Sequence, residues 1–113
     1  MWIYRPENGS VTFFELEPDK RPVGYFRGLG IPFTNKEFDL KKDDRIYLFT
    51  DGFADQFGGP RGKKFKYKQL QGLLAVIAEE PMTEQSKILS ETFDKWKGSL
   101  EQVDDICVIG IRI

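Results

Sequence analysis

Asp44-Arg45-Ile46-Tyr47-Leu48-Phe49-Thr50-Asp51-Gly52 is the stretch on which the reading of this chain turns. Arg45 to Thr50 is nearly continuous in apolar and β-branched character. It predicts a strand buried on both faces. Asp51-Gly52 ends it abruptly, leaving a carboxylate at the strand's C-terminal end and a residue free to turn sharply beside it.

Outward from that strand the pattern is legible in both directions. Trp2 to Tyr4 and Val11 to Leu16 read as strands around a Glu7-Asn8-Gly9 turn, which makes a hairpin. Arg21 to Pro32 reads as loop. Thr34 to Leu40, with Phe38 and Leu40 on one side, reads as a half-buried strand. Downstream, Gln56 to Lys64 reads as a Gly/Pro/Lys loop. Leu70, Leu73, Leu74 and Ile77 form one apolar helical stripe, and Ile88, Leu89, Phe93 and Trp96 form a second. Thr83 is the expected N-cap of the second helix and Gly98 its C-terminal cap. Ile106 to Ile113 reads as a closing strand. The expected fold is α+β: a mainly antiparallel sheet with a two-helix insertion on one face. Tyr47, Phe49, Cys107, Ile109 and Ile111 are too apolar to face water and call for cover from outside the chain. Trp2 reads as an edge or exposed aromatic, Trp96 as core, and Cys107 as buried and inert.

Bulk properties narrow the function. The chain has 113 residues, enough for one domain and too few for two. Net charge is −1, which argues against nucleic acid or a membrane surface as partner. No apolar run approaches the ~20 residues of a membrane span, and Met-Trp-Ile-Tyr-Arg-Pro does not read as a signal peptide. Cys107 is the single cysteine, so no internal disulfide forms, and a reducing, cytoplasmic setting fits. There is no histidine, so a metal held here would have oxygen ligands, which points to Mg²⁺ or Mn²⁺.

Two acidic positions stand out by place. Asp51 follows one strand, and Asp104-Asp105 precedes another. If those strands are antiparallel neighbours, both positions fall at one end of the sheet. Converging carboxylates repel unless a cation intervenes, and an octahedral hard cation suits short Asp side chains at rigid strand ends. The plain alternative is a turn and a strand cap. A basic cluster of Arg61, Lys63, Lys64, Lys66 and Lys68 is either a solvated loop or a contact for a phosphorylated partner.

The string ending in Thr50-Asp51-Gly52 resembles the Thr-Asp-Gly strand of the SpoIIE-like branch of the metal-dependent (PPM, type-2C-like) protein serine/threonine phosphatases. Asp104-Asp105-Ile106-Cys107-Val108-Ile109 resembles that branch's closing Asp-Asp-Ile-Thr strand, and Arg21-Pro22-Val23-Gly24 its Pro-Leu-Gly turn. The resemblance covers nearly the whole chain, in the right order. It implies that residues 1–113 form the C-terminal half of an α-β-β-α phosphatase sandwich. It further implies that Asp51 and Asp104 ligate Mn²⁺ or Mg²⁺, supported by Gly52 and Asp105. The family reaction is phosphoserine or phosphothreonine hydrolysis in bacterial signalling, by in-line attack of metal-activated water. In relatives the Gln56–Lys64 region belongs to a switch, whose motion Gly58, Gly59 and Gly62 would permit. The family's N-terminal Asp and its Asp-X-Ser/Gly-Gly-His-Gly motif are missing from these residues. The expectation is therefore weak metal binding and no turnover by the chain alone. Arg61, Lys63 and Lys64 are candidate contacts for a phosphorylated protein substrate. The competing reading is a non-catalytic interaction module or pseudo-phosphatase that self-associates through an uncovered sheet face. A phospho-acceptor receiver domain fits poorly, because there the acidic pair precedes the acceptor Asp.

Overall fold

In a computed structural model, which describes residues 1–20 and 32–113, Asn8 and Gly9 both take positive φ (52° and 76°). This tight two-residue turn matches the twist of the strands it joins. It links β1 (Trp2–Glu7) to β2 (Ser10–Glu15), with Glu7 opposite Ser10. β3 (Arg45–Phe49) pairs antiparallel with β1, and the closing strand β6 (Val108–Arg112) pairs antiparallel with β3. The sheet order is β2-β1-β3-β6.

Between β3 and β6 lie a one-turn helix α1 (Gly52–Asp55), a hairpin of two-residue strands, β4 (Phe57–Gly58) and β5 (Lys63–Lys64), then α2 (Tyr67–Ile77) and α3 (Met82–Lys97). Alternation sends Trp2, Tyr4 and Tyr47 to one sheet face, where α2 contributes Leu70, Leu74 and Ile77 and α3 contributes Leu89 and Phe93. Polar tips in this core are satisfied. The Tyr47 hydroxyl donates to Gln85 Oε1, and Gln85 Nε2 donates to the Glu80 carbonyl at 2.8 Å. The Tyr4 hydroxyl donates to the Gln71 carbonyl at 3.0 Å. Burial pushes the Tyr47 phenol up to about 12.

The fold is the α+β arrangement expected, with the helical pair on one face. Several local expectations are corrected. Thr34–Leu40 forms no strand, because its polar groups go to side chains: Thr34 N–H donates to Asp19 Oδ2 at 2.6 Å, and Asp39 O accepts from Arg5 Nη2 at 3.0 Å. α3 begins at Met82 with Pro81 in the cap position, so Thr83 lies inside the helix. Proline's fixed φ and missing N–H suit that position. Gly98 does end α3, at φ 55°. The Gln56–Lys64 segment is a short hairpin rather than plain loop. The expected Arg21-Pro22-Val23-Gly24 turn lies outside the described residues.

Tyr47 needs no outside cover, since α2 and α3 of this chain bury it. Trp2 is buried too, with its indole N–H on Glu15 Oε1 at 3.0 Å. Cys107 is exposed, because it sits ahead of β6 at the sheet end. β3 is not buried throughout. Arg45, Ile46 and Tyr47 are buried, while Leu48 is 42% exposed. Leu48 lies on the face away from the helices, opposite Ile109 and near Ile111, which are 49% and 44% exposed. On that same face Ile3 is fully buried, so cover thins from β1 toward β6.

Candidate functional site

The end of β3 is clasped to the approach of β6 by one side chain. Thr50 Oγ1 donates to the Asp105 carbonyl at 3.0 Å and accepts from the Cys107 N–H at 3.0 Å. The Thr50 N–H donates to the Cys107 carbonyl at 3.0 Å. Three hydrogen bonds within one residue's reach set the register just beyond the last ladder pair, Phe49 with Val108.

Asp51 follows Thr50 and precedes α1 as its N-cap residue, where its carbonyl accepts from the Asp55 N–H at 2.9 Å. Its carboxylate makes no capping bond and is exposed. Gly52 is buried against the opposing segment: a Cβ there would overlap the Asp105 carbonyl oxygen and approach Ile106 Cγ1 to 3.1 Å. Asp104 and Asp105 are exposed, and Asp104 Oδ1 accepts from the Asp105 N–H at 2.7 Å. The two strands are therefore antiparallel neighbours, and both acidic positions stand at the same sheet end.

Three residues not singled out in the sequence shape this end. Gln56 is fully buried. Its Nε2 donates to the Phe57 and Glu101 carbonyls at 3.0 and 2.9 Å, and its Oε1 accepts from the Val103 N–H at 3.3 Å. Its own carbonyl accepts from Trp96 Nε1 at 3.1 Å and from the Phe65 N–H at 2.9 Å. Gln56 thereby ties α1, the hairpin and α3 to the segment leading into Asp104. No sequence signal marks a lone Gln as such a hub. Thr50 carries no sequence signal beyond its place before Asp51-Gly52. Tyr67 packs its ring 6.2 Å from both Trp2 and Phe49. Its phenol is held above the usual range, first by partial burial and then by the Asp51 and Asp55 carboxylates, with Lys64 opposing.

Among the described residues, no group of three or more His, Cys, Asp or Glu side chains is placed to hold a metal. Asp51 and Asp104 offer oxygen donors only. Such a pair fits a hard cation that keeps most of its water, and falls short of a closed protein cage.

The basic cluster lies on the hairpin and the start of α2. Lys64 Nζ pairs with Asp55 Oδ1 at 3.1 Å and stands 5.8 Å from the Phe57 ring centre. Arg61, Lys63, Lys66 and Lys68 are exposed. Gly58 and Gly59 press against Trp96, where added Cβ atoms would collide with its carbonyl and ring. Their role here is close approach.

The family model described as Stage II sporulation protein E (SpoIIE) matches residues 1–113. Among solved structures, the SiaA-PP2C domain of Pseudomonas aeruginosa is similar at 28% identity and a TM-score of 0.73. The similarity covers 99% of this chain and 42% of that one, so the chain spans less than half the length of that relative. No curated protein matches the chain.

Proposed function

Because the chain belongs to the Stage II sporulation protein E family, we propose that it supplies the C-terminal part of a bacterial Mn²⁺- or Mg²⁺-dependent phosphoserine/phosphothreonine protein phosphatase in signalling. In this reading Asp51 and Asp104 are metal ligands. Gly52 and Asp105 support them, Gly52 by letting the two backbones meet. The observation that carries the reading is the Thr50 clasp, which brings the strand ends bearing Asp51 and Asp104 side by side. The likeness to a PP2C domain supports the same reaction class.

The bound metal would supply activation of water and neutralisation of phosphoryl charge. The chain's own residues do the rest. Thr50, Gly52 and Gln56 hold the two acidic segments in fixed register. Asp51 and Asp104 keep exposed carboxylates at the sheet end. Two carboxylates are too few to hold a metal tightly, so the 113 residues alone bind Mn²⁺ weakly and turn over no phosphoester. A Mn²⁺-dependent phosphatase assay on this chain tests that statement: clear turnover lost in Asp51→Asn would overturn the half-site reading. The exposed thiol of Cys107 fits a reducing, cytoplasmic setting.

One observation favours the second reading, a non-catalytic interaction module. Leu48, Ile109 and Ile111 form an exposed apolar stripe across β3 and β6. Self-association through that face predicts a dimer in sedimentation equilibrium that Ile109→Lys dissolves. A monomer at all concentrations counts against it.

A further inference from the structure

Charge in this chain is nearly balanced, with 17 basic and 18 acidic residues. It is not evenly spread. Arg61, Lys63, Lys64, Lys66 and Lys68 crowd one short stretch, and no Asp or Glu occurs from Gln56 to Ala78. Only Lys64 has a carboxylate partner, Asp55; the other four cations have none among the described residues. Like charges at this density repel, and partners elsewhere in the molecule would relieve them.

Four of these cations line a concavity. Arg61, Lys63, Lys64, Lys66, Gln69 and Trp96 enclose a groove of about 460 Å³. Its frame is fixed. The Gly59 N–H donates to the Trp96 carbonyl at 2.8 Å, the Gly62 N–H to the Gly59 carbonyl at 3.2 Å, and the Lys66 N–H to the Ala54 carbonyl at 2.7 Å. Trp96 itself stands edge-on to Phe65, with ring centres 5.2 Å apart. A cationic groove held on a rigid frame, with an aromatic wall, is complementary to an extended anionic chain.

The groove also adjoins the carboxylate end of the sheet. Lys64 bonds Asp55, and the Asp55 N–H bonds the Asp51 carbonyl, so one helical turn separates the two features. We propose that this groove docks an acidic segment of a protein partner, alongside the Asp51 and Asp104 positions. That the partner is the phosphorylated substrate rests on the phosphatase reading; the docking itself does not.

The test uses fluorescence anisotropy with a fluorescein-labelled Glu/Ser peptide, at low and physiological salt. A single-stranded DNA oligonucleotide and a Lys/Ser peptide run in parallel. Two charge-matched double variants are compared, Arg61→Glu/Lys63→Glu in the groove and Lys41→Glu/Lys87→Glu away from it, after circular dichroism shows that both fold. The proposal predicts salt-sensitive binding of the acidic peptide, weakened at least about tenfold by the groove variant and within about twofold for the other. Equal weakening by both variants would assign the effect to net charge and overturn it. So would an absence of binding, or tighter binding of the oligonucleotide. A chain in which Mn²⁺ leaves the Asp51 and Asp104 amides untouched, yet which still binds the peptide, would count against the metal half-site and leave the docking site standing.

Discussion

Gly52 and Asp105 are in backbone contact, with no room for a side chain between them. The contact lies two residues beyond Thr50, on the same Asp105 carbonyl that the Thr50 hydroxyl bonds, and joins the two segments that carry the acidic positions. Gly52→Ala should force the strand ends apart and cost about 1–3 kcal/mol. Gly72 is the internal control, since a Cβ there meets nothing and the residue lies within α2. Gly72→Ala should stabilise by about 0.5–1 kcal/mol through helix propensity. Urea unfolding of both variants reads the difference in sign.

The Thr50 hydroxyl both donates and accepts across the strand ends. Thr50→Val keeps the shape and removes both bonds. A loss of about 1 kcal/mol is expected, with faster amide exchange at Cys107. Thr50→Ser should retain the protection. Unchanged exchange in the Val variant would mean that the clasp does not hold the segment.

Gln56 is buried with every side-chain polar atom bonded. Gln56→Leu strands the Val103 N–H and the Glu101 carbonyl. We expect a cost of about 1–3 kcal/mol and loosening of residues 101–105 in hydrogen exchange, with α2 unaffected. Uniform loosening of the whole chain would argue against a local hub.

Asp44 is buried and takes a two-pronged bond from Arg5, at 2.8 and 2.7 Å, while the Arg5 guanidinium lies over the Phe14 and Phe38 rings, 5.1 and 5.5 Å from their centres. The Arg5 hydrogen bond, and secondarily the Lys41 N–H and nearby positive charge, hold the Asp44 carboxyl below its usual range against the opposing effect of burial. A depressed folded value means that the stabilisation is complete above the unfolded value of about 3.9 and is lost as pH falls below it. Asp44→Asn should lower stability at neutral pH by roughly 1–3 kcal/mol and flatten the acid limb. Urea midpoints at neutral pH and at about pH 3 give both numbers.

The elements with strong periodicity were legible in the sequence. The alternation around Asn8-Gly9 and the two apolar helical stripes specify β1, β2, α2 and α3, and the adjacency of Asp51 and Asp104-Asp105 follows once β3 and β6 pair. Thr34–Leu40 misled, because alternation of Phe38 and Leu40 does not show whether an unpaired strand edge is within reach. Cys107 misled because apolar neighbours in sequence do not place a residue in the core when it precedes the ladder. Gln56 was invisible, since its value lies in partners as far along the chain as Glu101 and Val103. The groove beside Trp96 needed the fold as well: the basic run was plain, but the missing carboxylate partners were not.

The central claim is that Asp51 and Asp104 form one metal-binding half-site. Its most direct test is paramagnetic line broadening by substoichiometric Mn²⁺ in amide spectra of the 113-residue chain, which detects and locates binding even when it is weak. The account predicts that Asp51, Gly52, Asp104 and Asp105 broaden first, and that Asp51→Asn and Asp104→Asn each abolish the effect. Broadening centred on other acidic residues, or unchanged in both variants, would contradict it.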